Sequence, residues 1–162
     1  MRLLRHLFAL PGAVARAFPA EAFQRIEQAI RASEKLHDGE IRFAVEAALD
    51  PAQLWRGVSA RERAIAVFSE LGVWDTERNT GVLLYLLLAE RDVEIVADRG
   101  FAERVTDAEW QRVCTVIERE FATGHWRDGV LRGIEAVTVL LAREFPASGP
   151  NRNEQLDRPA VL

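Results

Sequence analysis

The chain has 162 residues, a formal net charge of −4, 49% apolar and 28% charged residues, values of one ordinary globular domain. The single cysteine, Cys114, excludes a disulfide scaffold, and the acidic balance argues against general nucleic-acid binding. No apolar run approaches the roughly 18 residues that a membrane-crossing helix needs.

Residues 1–18 contain no acid and carry Arg2, Arg5, His6 and Arg16. The apolar stretch Leu7 to Leu10 is interrupted by Pro11-Gly12, and it is shorter than the roughly 7–15 residue core of a signal peptide. The expectation is a basic-apolar segment docked on the domain, with a weak membrane-surface contact as the alternative.

Residues 19–146 read as the folded body. Pro19 suits the first turn of a helix, and Phe23, Ile26, Ile30 and Leu36 recur at helical spacing until His37-Asp38-Gly39. Glu40 to Ala47 alternates apolar and polar residues, the mark of a strand with one buried face. A loop with Pro51 and Gly57 follows. Ser59-Ala60-Arg61-Glu62 is a capping box; its helix should bury Ile65, Phe68 and Leu71 and stop at Gly72. The loop from Val73 to Gly81 is rich in side chains that bond backbone groups. Val82 to Leu88 is a continuous apolar run, as in a central strand covered on both faces. A short turn, Ala89 to Asp92, leads to a return strand over 93–97. Thr106-Asp107-Ala108-Glu109 is a second capping box, and its helix places Trp110, Val113, Cys114, Ile117 and Phe121 on one face. The last helix aligns Trp126, Val130, Ile134, Val137 and Leu141 and ends before Pro146. Residues 147–162, with two prolines and no period, read as a flexible tail.

The first two strands flank a helix and should be parallel; the third should return antiparallel to the second. The fold class is α/β, a three-layer α/β/α sandwich with a small mixed sheet. In this topology the loops His37–Arg42, Asp75–Gly81 and Asp98–Gly100 meet at one end of the sheet. Asn79, Asp98, Glu40 and Asp75 are the candidate metal ligands there, and Thr76, Thr80, Gly81, Gly100 and Asp107 are candidate supports. Oxygen ligands without cysteine suit calcium or magnesium rather than zinc. Asp and Asn in loops also commonly cap helices or form Asx turns. Arg42 and Arg99 are candidates for holding a phosphate or other anion by paired N–H donors. No residue stands out as catalytic. Cys114 lies mid-helix on an apolar face, unlike a phosphatase thiolate, which needs a helix N-terminus and a glycine-rich cradle.

The stretch Trp74 to Tyr85, continuing through Arg91 to Gly100, resembles the central motif of the TPM domain family. Ser33-Glu34 and Gly39-Glu40-Ile41-Arg42 match its short soluble bacterial members. Phe121, Gly124, Gly129 and Gly133-Ile134-Glu135-Ala136 match its closing helices. The resemblance covers about residues 20–146 and implies an α/β/α sandwich. Some members of the family are described as acid phosphatases, some bind calcium, and others assist photosystem repair or receptor assembly. Longer members carry a signal peptide and a membrane anchor; neither is apparent here, so a cytoplasmic location is expected. Many members have Asn-Asn-Gly or Asp-Asn-Gly before the long strand. Asn79-Thr80-Gly81 keeps a hydroxyl at the middle position but loses an amide or acid.

Two functions follow. One is a divalent-cation site with phosphatase activity, in which the cation polarises a phosphoryl oxygen. The other is a non-catalytic binding or assembly module that presents the polar sheet end, or the basic N-terminus, to a protein or membrane partner. Neither involves nucleic acid.

Overall fold

The computed structural model describes His6, residues 12–149 and residues 153–162. Expectations for Arg2, Arg5 and the stretch Leu7 to Leu10 lie outside the described residues. His6 is buried, with Nε2 2.7 Å from Glu90 Oε1 and Nδ1 accepting the Leu49 amide at 3.0 Å.

Helices α1 (Ala13–Ala17) and α2 (Ala20–Ser33) precede strand β1 (Glu40–Glu46). Short α3 (Pro51–Trp55) and α4 (Ala60–Glu70) lead to β2 (Gly81–Leu87) and β3 (Asp92–Ala97). A 3-10 turn (Arg99–Phe101) precedes α5 (Asp107–Ala122) and α6 (Trp126–Glu144), and β4 (Ala160–Val161) ends the chain. The capping boxes at Ser59 and Thr106 form as the sequence predicts. A third, Asp50 with Gln53, builds α3 where a loop was expected; Pro51 sits at its first turn, where the missing N–H costs nothing.

The four strands lie in the order β3-β2-β1-β4. β1 runs parallel to β2, and β2 antiparallel to β3. One sheet face carries Ile41, Phe43, Val45, Leu84 and Ile95 into a core with Ile26, Ile30, Ile117, Phe121, Ile134 and Val137 from α2, α5 and α6. The other face carries Ala44, Leu83, Tyr85 and Leu87 against Ala60, Ala64, Val67 and Phe68 of α4. This is the expected three-layer sandwich.

Three local expectations are corrected. β1 is buried along its whole length rather than on one face, because α4 covers Ala44 and Glu46 while residues 154–156 cover Glu40 and Arg42. Ile65 and Leu36 are 48% and 58% exposed. α4 turns Ala60 and Ala64 to the sheet, which lets it approach closely, and Leu36 lies beyond the end of α2 at Ser33. Residues 153–162, read as tail, lie on the outer edge of β1: Ala44 and Val45 pair with Ala160 and Val161. No helix among the described residues is long and apolar enough to cross a membrane.

Candidate functional site

The register brings the start of β1, the start of β2 and the end of β3 together, with Glu40 opposite Gly81 and Val82 opposite Ala97. The loops entering and leaving these strands therefore meet, as the topology requires.

Asn79 and the Asp98–Gly100 turn form the inner part of this end. Asn79 adopts a left-handed backbone, φ 56°, which asparagine tolerates better than most residues. Its carbonyl accepts the Gly100 amide at 3.0 Å, and its Oδ1 accepts Arg99 Nε at 3.0 Å. Gly100 makes this approach feasible, since a Cβ there would stand 2.4 Å from the Asn79 carbonyl oxygen. Asp98 Oδ1 accepts the Arg99 amide at 2.7 Å, capping the 3-10 turn. Asp98 Oδ2 is buried and has no hydrogen-bond partner.

Thr76, Thr80 and Gly81 tie the loop to the sheet. Thr76 Oγ1 accepts the Thr80 amide at 2.9 Å, and the Thr80 hydroxyl donates to the Asp38 carbonyl at 3.2 Å. A Cβ on Gly81 would lie 1.9 Å from the Val73 carbonyl oxygen. Asp75 is exposed, and its amide donates to the Gly72 carbonyl. Asp107, the first residue of α5, is exposed and lines a hollow of about 330 Å³ along β3 with Arg61, Glu94 and Trp110.

Glu40 and Arg42 sit deeper. Glu40 is almost fully buried, and its two carboxylate oxygens accept the Glu154 and Gln155 amides at 3.3 Å each. Burial pushes its pKa up to about 7, against the opposing pull of those amides. Arg42 donates through Nη1 to the Leu156 carbonyl, while its Nε is buried without a partner; burial lowers its pKa. Of the two anion candidates, Arg99 is exposed and Arg42 is buried.

The donors fit a hard cation in kind, because Asp98 and Asn79 offer only oxygen and one oxygen lacks a donor. In number they are few: among the described residues no three His, Cys, Asp or Glu side chains gather as a metal-holding group. Further ligands would be backbone carbonyls or water, both ordinary for calcium and magnesium.

Sequence reasoning missed a second polar cluster under α4. Glu46 accepts Arg63 Nε at 2.9 Å and the hydroxyl of fully buried Tyr85 at 2.6 Å, and Arg63 also reaches Glu70 at 2.9 Å. It also missed buried Glu34, Asp157 and His37. The His37 Nδ1 lies 3.0 Å from the Gly39 carbonyl oxygen and 3.2 Å from the Gly39 amide; its Nε2 has no partner, and burial lowers its pKa. The apolar run of β2 held the clue, since the helix that covers its second face also reaches Glu46 on neighbouring β1.

A family model described as the TPM domain matches residues 14–140. The NMR structure of the BA42 protein from the psychrophilic bacterium Bizionia argentinensis is similar, with 28% identity and a TM-score of 0.79 over 90% of this chain and 95% of that one. The solution structure of the N-terminal domain of a protein from P. gingivalis shares the fold at 18% identity and a TM-score of 0.62, covering 81% of this chain and 80% of that chain. No curated protein matches. With the family model spanning most of the sandwich, the chain belongs to the TPM domain family.

Proposed function

We propose that this TPM domain is a binding module that takes a hard divalent cation, calcium or magnesium, at Asp98 and Asn79. Beside it, Arg99 serves as the contact for a phosphate-bearing ligand. The observation that carries this reading is Asp98 Oδ2, a buried carboxylate oxygen with no donor. Leaving such an oxygen unsatisfied costs about 1–3 kcal/mol or more, which a bound cation would recover. Glu40 is left out because both its oxygens are engaged by backbone amides. With two side-chain ligands the affinity should be weak, since calcium sites tighten with ligand charge and number.

A cation there would polarise a phosphoryl oxygen, and Arg99 supplies paired N–H donors for the same group. Hydrolysis of a phosphate monoester is the finer form of this reading. Calcium titration followed by amide NMR tests the binding. Shifts centred on Asn79 and Asp98–Gly100 that vanish in Asp98→Asn support it. No shift at millimolar calcium would sink it.

A second reading, an assembly module, is favoured by one observation. An open apolar groove of about 650 Å³ is lined by Val14, Phe18, Phe23, Ala47 and Val161. It would seat apolar side chains of a protein or membrane partner.

A further inference from the structure

Residues 153–162 are held on β1 almost entirely by polar contacts. The Leu162 amide donates to Val45 at 3.0 Å, Arg42 donates to the Leu156 carbonyl, and Glu40 receives the Glu154 and Gln155 amides. Asp157, 5% exposed, is the centre of the attachment: Arg31 Nε donates to it at 3.0 Å and Asn153 Nδ2 at 2.8 Å. The same segment grips the loop after α4. Gln155 Nε2 donates to the Gly72 carbonyl at 3.0 Å, and the Glu77 amide donates to Glu154 at 2.9 Å.

Glu34 caps the C-terminus of α2, three residues on from the Arg31 that holds Asp157, and Asp157 is the charged neighbour that acts on it most strongly. It is 7% exposed, and as a carboxylate its Oε1 would be buried with no donor. Two buried carboxyl groups in contact do not both ionise. Asp157 already receives Arg31 and Asn153, whereas Glu34 Oε1 receives no donor, so the proton sits on Glu34. The other charged groups around them are Arg31 on α2, Glu40 and Arg42 on β1, and Glu154 on the segment itself. His37 is turned to Gly39.

We propose that residues 153–162 are a proton-gated strap. A proton shared between Glu34 and Asp157 holds the strap on β1, and its loss frees the outer edge of β1 together with the Gly72–Glu77 stretch that leads into Asn79. Ionised Glu34 would stand beside Asp157 with one exposed cation, Arg31, between the pair and water. The inference is independent of cation binding at Asp98.

The test is amide hydrogen exchange on the full chain between about pH 5.5 and 9, with rates normalised to those of an unstructured peptide. Protection of the Leu162 and Gln155 amides should hold at low pH, then fall above about 8, where burial, Asp157 and Glu40 together place the Glu34 carboxyl. One proton predicts a fall of about tenfold per pH unit. Glu34→Gln, which keeps a donor to Asp157, should remain protected throughout. Flat protection in the parent protein would overturn the inference. So would a transition that survives Glu34→Gln but disappears in Glu40→Gln. A Glu34 carboxyl carbon that titrates in the ordinary carboxylate range would overturn it without any variant.

Discussion

Replacing Arg99 by glutamine should tighten cation binding, although the protein is already acidic overall. The guanidinium Nε lies 3.0 Å from Asn79 Oδ1. A calcium ion on the far side of that oxygen, at about 2.3–2.6 Å, would stand about 5.5 Å from the arginine charge. A double and a single positive charge at that separation repel by about 1.5 kcal/mol in bulk water. Screening at physiological salt reduces this to about 1 kcal/mol. Removing the charge should therefore raise calcium affinity about four- to tenfold, while Asp98 keeps its backbone cap from residue 99. The assay is a calcium titration read at the amides of Asn79, Thr80 and Asp98. Unchanged or weaker binding by Arg99→Gln would refute the placement of the cation on Asn79 Oδ1.

Gly81→Ala places a methyl group 1.9 Å from the Val73 carbonyl; it should cost about 3 kcal/mol or more by forcing apart β2 and its entry loop, measured by urea unfolding. Arg63→Met leaves Glu46 buried with only the Tyr85 hydroxyl as donor. It should cost about 3–5 kcal/mol, and Glu46→Met in the same chain should restore most of that, so equal losses in the single and double variants would argue against a buried pair. Stability should peak in mildly acid solution. The Glu34 and Glu40 carboxyls are raised to about 8 and about 7, so the folded state holds protons that the unfolded chain has lost, and stability falls as pH rises from about 4.5 to 8. Asp38 is lowered, chiefly by Ser148, and Glu109 is held at about 2 by the Thr106 amide and Arg143; their contribution is lost as pH falls below the ordinary carboxylate range. A melting temperature that climbs steadily from pH 5 to about 8 would contradict this balance.

The layers and the pairing of the first three strands were legible because apolar spacing and capping boxes mark the elements, and the crossover rule orients them. The β2 run declared a doubly covered strand, and the short turn before β3 fixed the hairpin. The polar face of β1 was misread for a physical reason: Glu40, Arg42 and Glu46 alternate with apolar residues as on a solvated strand. Their partners Arg63, Tyr85 and the strap amides come from elements remote in sequence. The strap itself escaped hydropathy because Asp157, Gln155 and Leu156 attach by hydrogen bonds rather than an apolar period. The meeting of Asn79 with Asp98–Gly100 followed from topology. That Glu40 is engaged by the strap, and that Asp98 keeps an unpaired oxygen, required coordinates.

The central claim is that Asp98 holds a cation, and a crystal structure grown in calcium tests it most directly. An ion is expected at about 2.3–2.6 Å from Asp98 Oδ2, with Asn79 Oδ1 turned to it and water completing the shell. A well-ordered Asp98 whose Oδ2 still faces no ion at saturating calcium would contradict it.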